Sequence, residues 1–479
     1  MSRDWPPEEW REPYEKYYEW AAWYSGDPEQ LLAFYSSKVE PFWSKDLEED
    51  RRTMVHIPVA GDIAGVSADL LLSEPPEIKI PEAHEQQAPS GATDTQDRLD
   101  EIIEETDAYS RMLEAAETAA AFGGVFVKIN WDTAFRGYPV LSIAQPDNAI
   151  PEFRWGFLRS VTFHRVVEHI DTNNVIRHIE IHEPGKVYNQ LYKGGRFRLG
   201  TRLNLEQHEA TAGMEPEINT GIKTLTCRYI PNKLPNRLWR GASLGQSDLS
   251  GIEGLMDSID EAYSDWVREL GLARARLIIP ESWLELEDGK FKFNLDKEVY
   301  VATAQGPASA ENQQVHAVQF EIRADQYHQT ITELMKQAYA MAGYSPSSFG
   351  MREPGEQAVT AAEVKSREGK SFKTRNKKAR YLQGGIADIL HVLLQIDKVH
   401  FNSKVNPEYR PQVILQDSIQ TDPMEKADSL AKLEQAQAIS IDTKVRILHP
   451  EWSQEQIEAE VERIMQEKGM AVETPEMRV

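Results

Sequence analysis

QSDLSGIEGLMDSIDEAYSDWVRELGLA, residues 246–273, is the stretch on which the fold turns. Ile252, Leu255, Met256, Ile259, Tyr263, Trp266, Val267 and Leu270 recur at three-and-four spacing, which predicts a helix with one apolar stripe. The other face carries Glu253, Asp257, Asp260, Glu261, Asp265 and Glu269 against a lone base, Arg268. Glu253, Asp257, Glu261 and Asp265 recur every four residues and so form one acidic stripe. At ~1.5 Å per residue the helix is about 35 Å long.

Downstream, EIRADQYHQTITELMKQAYAMAG (321–343) repeats the pattern, with Tyr327, Ile331, Leu334, Met335, Ala338 and Tyr339 as its stripe. Between the two lies WLELEDGKFKFNLD (283–296), where Asp288-Gly289 is a strong hairpin signal. Counting outward from that turn, Glu287 faces Lys290 and Glu285 faces Lys292. Leu286 then faces Phe291, and Leu284 faces Phe293. Opposite charges pair on one face and apolar residues on the other, so cross-strand chemistry agrees with turn chemistry.

Upstream, residues 1–75 read as short aromatic-rich helices, with Asp27-Pro28 as an N-cap and first helical position. Residues 81–97 lack periodicity and read as a flexible loop. A helix follows from Leu99 and stops at Gly123-Gly124. GVFVKINWD, YPVLSIAQ, FLRSVTFHRVVEHI, VIRHIEIHE and KVYNQLYKG then alternate as strands, with turns at Asn173-Asn174 and Gly194-Gly195. Past Gly343 comes a Pro- and Gly-punctuated loop, then a long helix from about Thr360 to Ile396, interrupted by Gly369 and Gly384-Gly385. KVHFN and QVILQD read as strands. Thr421-Asp422-Pro423 opens a last helical region, in which Ser453 and Gln456 make a capping box.

The 479 residues allow several domains, and 41% hydrophobic with 27% charged content fits a folded, soluble chain. The formal charge of −24 argues against a protein that wraps DNA non-specifically, but not against one that lets DNA pass without sticking. Cys227 is the single cysteine, so no intrachain disulfide or Cys-rich metal site forms, which suits a reducing cytoplasm. No apolar run reaches the ~20 residues of a membrane span, and the N-terminus does not read as a signal peptide. EGKS (368–371) invites a phosphate-loop reading, but Val364 stands where that loop needs glycine, and the preceding segment reads as helix. His178, Glu180 and His182 fall on one face of a strand, a conceivable metal cluster. The simpler reading is the solvated face of an antiparallel sheet. No residue set stands out as catalytic, and no cofactor is expected.

Several further stretches fall in a telling order: VSADLLLSEPPEI (66–78), AFGGVFVKINWD (121–132), IAQPDNAIPEF (143–153), YIPNKLPNRLWRGASLGQSDLSGIEGLMDSIDEAYSDW (229–266), TAAEVKSREGKSFKT (360–374) and DPMEKADSLAKL (422–433). In order and spacing they resemble the portal proteins of long-tailed bacteriophages of Gram-positive hosts, over residues 14 to 465. The resemblance implies an α+β portal fold and a ring, usually a dodecamer, around a central channel. Residues 1–245 would be the first part of the wing, 246–273 and 320–343 the two stem helices, and 274–319 the clip with its Asp288-Gly289 hairpin. Residues 344–420 would complete the wing and 421–479 form a helical crown. Met351, Arg352, Glu353, Pro354, Gly355, Glu356 and Gln357 sit where the family has its channel loop.

The implied role is a non-enzymatic conduit at the unique capsid vertex of the virion, assembled in the host cytoplasm. Its partners would be double-stranded DNA in transit, the terminase large subunit, head-completion or connector proteins, and the major capsid and scaffolding proteins, with no membrane. In that setting the acidic stripe would line the channel and repel phosphates; otherwise it is a solvated helix face. Lys365–Arg380 concentrates eight bases with one acid, Glu368. Lys370, Lys373 and Lys377 share a face and would touch either a neighbouring subunit or DNA, while Arg367, Arg375 and Lys378 spread around the helix. The rival reading from another class is a metal-dependent nuclease or related DNA-processing enzyme holding its ion at His178, Glu180 and His182.

Overall fold

The computed structural model describes residues 4–36, 38, 41–44, 54–84, 89–273, 276–278, 285–287, 290–292, 316–318, 322–351, 367–416, 430–436, 439–448 and 454–467. Helices α1 (Arg11–Ser25), α2 (Pro28–Tyr35) and α3 (Val59–Leu72) come first. Asp27 caps α2 by accepting from the Glu29 N–H at 3.0 Å, with Pro28 at the first helical position. After strand β1 (Glu77–Lys79), α4 (Ser90–Glu105) and α5 (Ala108–Phe122) follow. The flexible loop expected over 81–97 is therefore helix from Ser90 onward. Ala92 and Thr95 are buried there, so tertiary packing supplies what local periodicity does not show. Gly123 ends α5 in the left-handed region (φ 85°), and a side chain there would meet the Gly245 carbonyl at 2.6 Å.

Two antiparallel sheets come next. β2 (Gly124–Asn130) lies between β3 (Val140–Ala144) and β10 (Cys227–Pro231). β4 (Ala149–Arg154), β5 (Phe157–His169), β6 (Asn174–Glu183), β7 (Lys186–Gly195) and β8 (Arg198–Leu203) pair in chain order, with β9 (Glu217–Asn219) added on β7. The β5–β6 turn falls where Asn173-Asn174 predicts it. Gly194 and Gly195 lie at the end of β7, one step before the turn itself.

α6 (Glu253–Leu272) and α7 (Ala324–Ala342) are the two predicted amphipathic helices, packed against each other. β11 (Arg276–Ile278) pairs with β14 (His316–Val318) between them. β12 (Glu285–Glu287) pairs with β13 (Lys290–Lys292) in the expected register, Glu285 with Lys292, Leu286 with Phe291 and Glu287 with Lys290. The turn residues Asp288 and Gly289, and the Leu284–Phe293 pair, lie outside the described residues.

α8 (Gly369–His400) runs straight through Gly384-Gly385, and it absorbs residues 398–400 of KVHFN, expected to be strand. Gly385 is there for contact rather than for breaking. A Cβ on it would sit 2.5 Å from Ile230, so helix and sheet approach closely only because the side chain is missing. β15 (Gln412–Ile414) pairs with β1, and α9 (Ile441–Leu448) packs on α10 (Gln454–Glu467). Ser453 of the expected capping box lies outside the described residues.

One core gathers α4, α5, β2 and α8 around Leu99, Ile102, Val125, Ile386 and Leu390. A second, aromatic core holds Tyr17, Trp20, Trp23 and Trp43 against Met256 and Ile259 of α6 and Ile331 and Tyr339 of α7. The stem-like pair is thus rooted in the N-terminal helices.

Candidate functional site

Tracing α6 from its root outward, the stripe residues Ile252, Met256 and Ile259 are buried and Trp266 is half-buried, its ring stacked on Tyr327 with centroids 6.3 Å apart. Leu270 departs from the pattern at 46% exposed.

The acidic stripe divides in the same way. Glu253 accepts from the Trp20 indole N–H at 3.0 Å and from the Gly251 N–H at 2.7 Å. Asp257 accepts from the Phe42 N–H at 2.8 Å, and burial raises its pKa. These two carboxylates are held inside the chain. Glu261 and Asp265 line a groove of about 400 Å³ between the helices, with Arg323 and Tyr327 on its other wall. Asp265 is exposed and Glu261 half-buried. Glu269 bonds Arg323 at 2.9 Å, which holds its carboxyl down to about 2.

Asp260 is not on the outer face at all. It is fully buried and accepts from the Trp43 indole (3.0 Å), His56 Nδ1 (2.7 Å) and the Ile57 N–H (2.9 Å). The sequence gives no hint of this, since all three partners lie more than 200 residues away.

Beneath the α6–α7 pair lies a buried ionic cluster that the sequence reading missed. Asp248, four residues before Ile252, is 1% exposed and accepts from Lys378, Lys233 (2.9 Å), Asn232 (2.9 Å) and the Tyr344 hydroxyl (2.8 Å). Lys378 also donates to Ser67 and Tyr344, each at 2.7 Å. Burial pushes the Asp248 carboxyl up, but Lys233 and Lys378 outweigh it and hold the group well below the usual range. Burial pulls Lys378 down to about 8 against the opposing pull of Asp248. The cluster joins the segment leading into α6, the residue just past α7, and helices α3 and α8.

The basic run on α8 therefore has two sides. Lys378 and Arg375 are buried, with Arg375 donating to the carbonyls of Leu70 (3.0 Å) and Gln416. Lys370, Lys373 and Lys377 are exposed, and Lys370 reaches the Ala340 carbonyl in the last turn of α7. A signal existed for this division. The buried positions Leu382, Ile386, Ile389 and Leu393 extend backward at three-and-four spacing through Lys378, Arg375 and Ser371. Met351 is half-buried against the aromatic core; Arg352, Glu353, Pro354, Gly355, Glu356 and Gln357 lie outside the described residues.

His178, Glu180 and His182 are not a solvated face. His178 is 4% exposed and bonds Asn189 at 3.0 Å. His182 is 1% exposed, with Nε2 2.6 Å from Glu180 and Nδ1 2.7 Å from the Thr226 hydroxyl. Lys128 donates to both Glu180 oxygens, at 2.9 and 3.0 Å. His182 and Lys128 overcome the upward effect of burial and hold Glu180 well below the usual carboxylate range. The β10–β2–β3 sheet packs on this face through Lys128 and Thr226, the three side chains also line the cavity between the two sheets, and an ammonium already sits where a cation would. Among the described residues, no three His, Cys, Asp or Glu side chains are arranged to hold a metal ion.

These elements fall in one order along the chain: a β-rich body, an amphipathic helix, a small β insert, a returning helix and a long basic helix. The family described as phage portal protein, SPP1 Gp6-like, matches residues 7–474. The chain belongs to that portal family. It is a phage portal protein, a component of the virion capsid and of its DNA-packaging and head–tail connecting vertex. Portal proteins are in general structural rather than enzymatic, and as a family they form oligomers with capsid and terminase partners. No curated protein matches the chain. No helix among the described residues is long and apolar enough to cross a membrane.

Proposed function

We propose that this portal protein assembles as a dodecameric ring whose central channel carries double-stranded DNA during packaging and ejection. The family match over residues 7–474 carries this reading. It is supported by α6 and α7, which run side by side from a buried root. In the ring, 1–245 and 344–420 act as wing, 246–273 and 320–343 as stem, 274–319 as clip and 421–479 as crown. The clip docks the terminase large subunit before DNA enters and the connector proteins afterwards. Scaffolding and major capsid proteins surround the wing, and assembly takes place in the host cytoplasm.

Of the four stripe carboxylates, exposed Asp265 and half-buried Glu261 face the channel, while Glu253 and Asp257 point back into the chain toward Trp20 and Phe42. A negative bore repels phosphates from all sides and leaves DNA no deep well in which to stick. Met351–Gln357 narrow the channel as its loop. Lys370, Lys373 and Lys377 contact a neighbouring subunit, whose surface is acidic on balance. Negative-stain microscopy of the purified chain tests the reading. Rings with a central hole support it, and monodisperse particles without a hole at micromolar concentration refute it.

A further inference from the structure

The β4–β5 hairpin ends in Trp155-Gly156, a two-residue turn with φ of 53° and 84°, closed by the Arg154–Phe157 pair. Such turns suit Asn or Gly at the first position; a tryptophan there is strained, because its Cβ crowds the backbone at positive φ. This tryptophan is also 85% exposed, and Phe157 beside it is 68% exposed. The Arg154 guanidinium lies 4.3 Å from the Trp155 ring, and Arg159 is exposed two residues past Phe157. A strained, solvated aromatic tip flanked by arginines has the composition of an interface anchor.

A cavity of about 1150 Å³ lies between the β2–β3 edge and the β5–β6–β7 face. Phe163, Trp131 and Met214 give it apolar walls, while exposed Asp132, Glu114 and Glu215 outnumber the one exposed base, Arg165, and leave its rim acidic on balance. The tip cannot enter the groove of its own chain. β5 itself runs from the tip at Phe157 to the groove wall at Phe163, a separation of about 20 Å along a rigid strand. Each copy thus carries a cationic aromatic tip and, elsewhere, an acid-rimmed groove.

We propose that the Arg154–Arg159 hairpin tip of one copy docks in this groove of the next, as a wing-to-wing contact. Such a contact is head-to-tail, so it repeats around a rotation axis until it closes. The proposal rests on the ring reading above and names one of its contacts.

Sedimentation velocity over a dilution series tests it. Trp155→Asn with Phe157→Ser installs Asn-Gly, the sequence this turn favours, so the monomer folds at least as well while the anchor is gone. The concentration for half-assembly is expected to rise tenfold or more. Arg154→Glu with Arg159→Glu weakens assembly likewise, as does Asp132→Arg with Glu215→Arg, and combining the two pairs restores it. Phe157→Cys with Met214→Cys gives an intersubunit disulfide on oxidation. Parental assembly by the Asn/Ser variant, or no recovery in the charge swap, overturns the proposal and leaves the ring reading intact. A parent chain that forms no ring at any concentration overturns both.

Discussion

Replacing Lys378 with Met removes one of two cations from a carboxylate that water does not reach. Asp248 and Lys378 are respectively 0% and 2% exposed at their side chains, and Lys233 remains 2.9 Å from Asp248. Breaking a buried pair by deleting one partner costs about 3–5 kcal/mol. With Lys233, Asn232 and Tyr344 still in place, Lys378→Met falls at the lower end, about 3 kcal/mol. The ammonium is itself unfavourably placed, as its depressed pKa shows. The loss therefore comes from Asp248, and removing both charges together, as Asp248→Asn with Lys378→Met, recovers about 2 kcal/mol or more of the summed single costs. Urea unfolding at one fixed protein concentration gives all four corners of the cycle.

Both groups make stability rise with pH, in separate windows. Asp248 has a folded pKa below its unfolded value, so its contribution is present above about pH 4 and is lost as pH falls further. Lys378 drops from 10.5 to about 8 on folding, so the parent gains stability as pH rises from about 8 to 10.5, and Lys378→Met lacks that gain. A single-variant cost under about 1 kcal/mol, or strictly additive costs, refutes the claim that this cluster anchors the α6–α7 pair.

Asp260→Ala strips the acceptor from Trp43, His56 and the Ile57 N–H, and is expected to lower stability by about 3 kcal/mol or more, read in the same urea experiment. Trp266→Ala, at a half-buried stacked site, costs about 1–2 kcal/mol; an unchanged melting temperature would mean the Tyr327 stack contributes nothing. Glu261→Lys with Asp265→Lys leaves the apolar stripe intact, so rings form, but packaging slows and slows most at low salt; a parental packaging rate at low ionic strength places these residues away from the channel. Gly289→Val leaves the wing and stem melting transitions unchanged while abolishing terminase docking, and normal docking by this variant removes the hairpin from that role.

What the sequence reveals follows the range of the interactions concerned. The β12–β13 register is readable because its determinants, a turn and its flanking pairs, lie within a few residues. The α6 and α7 stripes are readable because burial imposes a period. Asp260 is not, since a carboxylate on a helix surface and one aimed at Trp43 leave the same local pattern. Lys378 and Arg375 are hidden by their neighbours: a run of bases reads as one solvated patch, although the two lie on the line of Leu382 and Ile386. Residues 90–97 fold as helix because Ala92 and Thr95 pack inward, and their Ser, Gly and Thr content masks that. The tip at Trp155 goes unseen because its oddity is a backbone angle, which no composition records.

Glu269 near the end of α6 and Arg323 at the start of α7 are 54 residues apart in sequence and 2.9 Å apart in space. The neck between them is closed by the helices' own packing, so the entropy of bringing the ends together is met before any intervening residue folds. Whatever is spliced in at that point inherits a preformed anchorage. On the proposed reading of this segment as the motor-docking clip, grafting a different segment between these ends changes the docking partner while α6 and α7 keep their root.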